Sequence, residues 1–198
     1  MMLELAEMRA LIERCAPNVA HATLLGIAEV ESGFDPLAIG VNGPPHRQVR
    51  STNAPDAIAA AKRLIESGAS IDLGLAQINS RNLDRLNLSI EAAFDPCENL
   101  AASAAVLREG FDRARAADQA PQTALRTALS HYNTGHPERG IRNGYVAKVV
   151  AAAERFGQQD PAPEEAEPPA PSWDAFAVAR EVKWRTSFVF SPQPEPAQ

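Results

Sequence analysis

From Val19 to Ser32 the chain carries apolar residues on nearly every side of a would-be helix: Val19, Ala20, Ala22, Leu24, Leu25, Ile27, Ala28 and Val30. A helix of that kind has almost no face to give to solvent, so it must lie inside a shell of other elements. The rest of the sequence has to supply that shell. Residues 3–14 read as an amphipathic helix with Leu3, Leu5, Met8, Leu11 and Ile12 near one face. Pro17 is expected in the first turn of the buried helix, and Gly33 and Pro36 end it. Residues 37–54, with Gly40, Gly43, Pro44, Pro45 and Asn53, read as irregular with room for a short strand or two. Pro55 opens a helix through Ser67, stopped by Gly68. Helices are expected again over about residues 99–116, 121–132 and Gly144–Phe156. The predicted fold class is all-α, helical with minor β.

Composition shifts after Phe156. Residues 157–172 are rich in proline and glutamate, and eight of the 16 prolines lie beyond residue 156. Such a stretch cannot bury enough apolar surface to order itself. We therefore expect one domain over residues 1–157 and a disordered Pro/Glu-rich linker and short aromatic tail over 158–198. Trp173, Phe176, Trp184, Phe188 and Phe190 give that tail anchors for docking.

Charge excludes one function class. The net charge is −6, and residues 157–198 hold seven acidic and three basic residues of it. The remaining body is near neutral and has no Lys/Arg cluster along its sequence, so nucleic acid is not an expected partner. No run approaches the roughly 20 apolar residues of a membrane span. The start, Met1 to Glu7, carries acidic residues where an export signal has basic ones, and no signal peptide is visible. Cys15 and Cys97 do not make a CxxC motif. Two buried thiols in a cytosolic chain and one disulfide in an exported chain are both open on spacing alone. A thiol enzyme built on Cys97 is set aside, because no motif places a base beside it.

Three short motifs carry chemistry. The first is Glu31-Ser32-Gly33-Phe34-Asp35-Pro36, at the end of the buried helix. Its Glu31 is flanked by Ile27, Ala28, Val30 and Phe34, and apolar surroundings raise a carboxyl pKa toward that of a general acid. Glu29 has similar neighbours but lies about 200° away around the helix, so the two cannot share a cleft. Periodicity does not choose between them. The second motif, Gly74-Leu75-Ala76-Gln77-Ile78-Asn79, offers amides suited to hydroxyl and N-acetyl groups. The third is Ser130-His131-Tyr132-Asn133-Thr134-Gly135, followed by Asn143-Gly144-Tyr145-Val146, and it contains the only two tyrosines. His131 and His136 are five apart and lack partner ligands, so neither a metal nor another cofactor is expected.

In this order and spacing, over about residues 15–156, the motifs resemble the soluble lytic transglycosylases, relatives of goose-type lysozyme. Gln77-Ile78-Asn79-Ser80-Arg81-Asn82 and Gly144-Tyr145-Val146 look like the branch attached to type IV secretion and conjugation machines. The resemblance implies a lysozyme-like helical domain and Glu31 as the one catalytic acid/base. It implies a sugar groove lined by Ser32, Gln77, Ile78, Asn79, Tyr132 and Asn133, with Tyr145 close to the acid. The implied substrate is peptidoglycan glycan strands, cleaved at the MurNAc–GlcNAc bond with 1,6-anhydro-MurNAc formation. Secretion-system components would be met through the tail, and the implied location is the periplasm. An exported chain of this kind is expected to bond Cys15 to Cys97. Two departures stand out: Ala76 where many relatives have Met, and Gly40 where many have Ser. Two rival functions remain, a muramidase using Asp72 as a second carboxylate and a non-catalytic glycan-binding assembly module.

Overall fold

A computed structural model describes residues 2–159. The linker and aromatic tail expected over 158–198 fall almost wholly outside these residues. Helices α1 (Leu5–Cys15) and α2 (His21–Ser32) are followed by strands β1 (Ile39–Val41) and β2 (Arg47–Val49). Then come α3 (Ala54–Glu66), β3 (Ile71–Leu73) and β4 (Ile78–Asn79), and α4 (Pro96–Ala116). The chain closes with α5 (Pro121–Thr134), the single turn α6 (Arg139–Arg142) and α7 (Tyr145–Gln159). This is the helical architecture with minor β that the periodicity predicts.

The apolar α2 is central, as its composition requires. Leu24, Leu25, Ile27 and Ala28 are fully buried, in one core with residues of α1, α4, α5 and α7. Its closest neighbour is α7. A Cβ on Gly26 would stand 2.8 Å from the Val149 carbonyl and 3.0 Å from the Ala153 nitrogen, so the two backbones meet where only glycine fits. One expectation fails here. Pro17 lies in the turn between α1 and α2, and α2 starts at His21 behind Ala20. The helix α4 begins at Pro96, because Asp95 caps it by accepting from the Cys97 and Glu98 amides.

The strands form one antiparallel sheet in the order β2-β1-β3-β4. A second core lies under it: Ile39, Val41, Ile71, Leu73 and Ile78 with Ala57 and Ala61 of α3, Leu83, Leu88 and Phe94. The register sets Gly40 opposite Asp72, and Asp72 opposite Asn79. Directly opposed residues point to one face of a sheet, so these three form a row on the face away from Leu73 and Ile78. The molecule thus has a helical lobe and a small sheet lobe, with Tyr132 packed against both cores.

Asn99 on α4, 1% exposed, ties the lobes together. Its amide donates to the carbonyls of Leu73 (2.9 Å) and Ala93 (2.7 Å), and its oxygen accepts from the Ala76 amide at 2.8 Å. Gly74 makes this fit possible: its φ is +73°, and a Cβ there would stand 2.4 Å from the Ala93 carbonyl and 2.5 Å from the Asn99 amide. Asn99→Ala strands three buried backbone groups, so we expect a loss of about 2–3 kcal/mol. A fall in the urea midpoint at unchanged slope checks this.

Candidate active site

A groove of about 700 Å³ runs between the lobes, bordered by Glu31 on one wall and Asp72, Gln77 and Asn79 on the other. Glu31 sits in the last turn of α2. Gly33 closes that helix in the left-handed region (φ 63°), with its amide bonded to the Glu29 carbonyl, and Phe34 follows at φ 66°. The chain then leaves the helix axis, and the Phe34 ring packs 6.0 Å from that of Phe156. Glu31 therefore reaches the groove from an otherwise apolar helix end.

Burial raises the Glu31 carboxyl to about 7, against a smaller lowering by a Tyr145 hydrogen bond; the negative charge of Asp72 adds to the rise. Tyr145 donates its hydroxyl to Glu31 Oε1 at 2.6 Å. Because that oxygen is occupied, the carboxyl proton falls to Oε2. Tyr145 opens α7, the helix locked to α2 through Gly26, and so its hydroxyl is positioned by helix packing. Glu29 faces elsewhere and pairs with Arg155 at 2.5 Å. The arginine partner that a helix-end glutamate ordinarily takes belongs to Glu29.

Asp72 stands in the sheet row facing the groove. Its Oδ1 accepts from the Asn79 amide at 2.7 Å and its Oδ2 from the Asn42 amide at 2.8 Å. Asn79 is fully engaged: its amide also donates to Ser70 Oγ, and its oxygen accepts from the Arg81 amide. Gln77, at φ +51°, donates to the carbonyls of Gly74 (2.9 Å) and Ala38 (3.2 Å). Its Oε1 lies 2.8 Å from where a Cβ on residue 40 would be. Glycine at 40 and this seat for Gln77 therefore go together; a serine there would displace the amide.

Tyr132 is spent in the same way. Its hydroxyl donates to the Ala76 carbonyl at 2.7 Å and accepts from Ser103 Oγ at 3.0 Å, leaving its ring to border the groove. Ser32 Oγ lies 2.7 Å from the Leu75 carbonyl, its acceptor, and so fixes the loop before Gln77 to α2. Ile78 borders the groove, but the residue is 3% exposed and packs in the second core. Asn133 is exposed at the rim, its oxygen accepting from Asn143, and His131 borders the same wall. Asn99 and Ser103 escape the motif reading; no local pattern marks a single buried polar residue inside a helix. Cys15 and Cys97 are joined by a disulfide, their Cα atoms 5.3 Å apart. No group of His, Cys, Asp or Glu among the described residues is placed to hold a metal ion.

Residues 10–149 match the transglycosylase SLT domain. The chain belongs to that family. The SLT domain thus takes in α2, the whole sheet and both tyrosines. Among curated proteins, this SLT chain is 40% identical to protein virB1 of Agrobacterium fabrum over 154 residues, 78% of the chain and 62% of that protein. It is also 40% identical to the type IV secretion system protein virB1 of Brucella abortus over 151 residues, 73% of the chain and 63% of that protein. The chain thus spans under two thirds of the length of the curated relatives it matches. No solved structure matches it significantly. Among the described residues, no helix is long and apolar enough to cross a membrane.

Proposed function

We propose that residues 1–157 form a peptidoglycan lytic transglycosylase that breaks the MurNAc–GlcNAc β-1,4 bond without consuming water. One observation carries the reading. The groove holds a carboxyl that is half protonated near neutrality, with one oxygen held by Tyr145 and the other left for substrate. Glu31 donates its proton to the glycosidic oxygen as the C1–O bond breaks, and the MurNAc N-acetyl oxygen shields C1. The C6 hydroxyl of the same sugar then bonds to C1 and returns its proton to Glu31. Atoms and protons balance, and one residue serves as acid and then as base. The intramolecular attack has a large proximity advantage over water. Ser32, Gln77, Asn79 and Tyr132 act mainly by holding the groove walls in register, with Ile78 and Asn133 at its surface. The relatives named as type IV secretion proteins support a role in opening the wall locally for such an apparatus. That role requires a periplasmic location.

Asp72 supports the rival reading, since it shares the groove with Glu31 and a hydrolase uses two carboxylates. Its two amide partners suit a fixed anion that steadies developing positive charge at C1. Asp72→Asn is therefore expected to keep releasing 1,6-anhydro-MurNAc ends, at a rate reduced about tenfold or less. A base or nucleophile would cost about 10²–10⁴-fold. Muropeptide mass spectrometry on the variant's products tells the two apart.

A further inference from the structure

Part of the groove lining is basic. Arg81 follows Asn79 out of the sheet, Arg85 lies one turn on, and Glu109 and Arg113 come from α4; all four line the groove. Glu109 is shared: it pairs with Arg85 and, at 2.7 Å, with Arg113. Arg81 makes no ion pair among the described residues, and its side chain is exposed. Two guanidinium groups thus share one carboxylate and a third, Arg81, is unshared, leaving about two positive charges in this part of the lining. A body with slightly more acidic than basic residues has placed this local surplus of cations where a substrate strand must pass. Uncharged sugars give no reason for it, whereas the planar guanidinium fork matches a carboxylate.

We propose that this basic lining takes a carboxylate of the peptide stem carried by a neighbouring muramyl residue. The enzyme then prefers peptide-bearing strands. The proposal rests on the glycan-cleaving reading above. It makes Arg81, Arg113 and Arg85 specificity residues, with Glu109 tempering their charge.

The test measures binding rather than turnover, using the full chain carrying Glu31→Gln so that fragments are not cut. Three soluble glycan fragments serve as probes: peptide-bearing, peptide-bearing with the stem carboxylates converted to methylamides, and peptide-free with the lactyl carboxylate exposed. Adding Arg81→Gln should weaken binding of the first about three- to tenfold, in the range of an exposed charge-assisted contact. Adding Glu109→Gln should tighten it by a similar factor, because the partner arginines are released. Neither change should move the second or third probe by more than about twofold. Equal effects on all three probes, no effect on any, or an effect on the peptide-free probe alone would overturn the proposal. Binding of none of the probes by the Glu31→Gln protein, with its fold intact by circular dichroism, would instead overturn the glycan reading itself.

Discussion

Glu31→Gln is expected to lower glycan cleavage by about 10⁴-fold or more while leaving strand binding in place. General acid/base groups typically contribute about 10²–10⁴-fold each, and in the proposed reaction a single carboxyl performs both proton transfers. The amide keeps the shape and can still accept from Tyr145, but it has no proton to give. Glu29→Gln is the matched control: two residues away on the same helix and paired with Arg155 outside the groove, it should retain most activity. The same substitution has a second, independent signature in stability. In the folded chain Glu31 titrates near 7, above its unfolded value near 4.5, so the folded form holds the extra proton between these values. Stability contributed by this group is present below about pH 4.5 and falls as pH rises through about 7. The full difference is roughly 3 kcal/mol at most. Glu31→Gln should therefore match the wild type near pH 4 and exceed it at pH 8. Urea unfolding at the two pH values checks it; a variant less stable at pH 8 would contradict the burial argument.

Loss of the Cys15–Cys97 bond should have the largest effect on folding. The bond joins the end of α1 to the start of α4 and closes a loop spanning 82 positions, which encloses α2, the sheet, Glu31 and Asp72. In the chain-entropy picture a loop of that length stabilises by about 4–5 kcal/mol. That is a large share of the roughly 5–15 kcal/mol available to a domain. The Cys15→Ala/Cys97→Ala double variant should unfold at markedly lower urea than the oxidised protein. An unchanged midpoint would show that the cross-link is dispensable.

The helices other than the single turn α6 were legible because they are long enough to express a 3.6-residue period, and α2 stood out by having no polar face. The sheet was legible only as punctuation. Its strands are two or three residues long, too short for an alternating pattern to accumulate. What matters there is register, the placing of Gly40, Asp72 and Asn79 in one row, and no local sequence signal states which residues will face each other. Pro17 misled because a proline suits a tight turn as well as a first helical turn. The Asp95-Pro96 pair is the reverse case: a side-chain cap ahead of proline was readable, and it starts α4 three residues before the apolar period does. In the groove, residue types mark positions on its walls, and the structure adds which of their polar atoms the chain itself already holds. Gln77, Asn79 and Tyr132 look like sugar contacts in a motif, and the Gln77 amide nitrogen, the Asn79 amide and the Tyr132 hydroxyl are bonded to the chain itself. Only the three-dimensional arrangement separates a group that touches substrate from one that holds the wall. Ala76 fits the same logic, since its carbonyl and amide are the anchors for Tyr132 and Asn99.

The central claim is that the nucleophile is the sugar's own C6 hydroxyl and not water. Digestion of purified peptidoglycan by the wild-type chain in ¹⁸O-labelled water tests it most directly. The released muropeptides are expected to end in 1,6-anhydro-MurNAc and to carry no label. Reducing MurNAc ends containing ¹⁸O, lost on Asp72→Asn, would contradict it and make the protein a hydrolase.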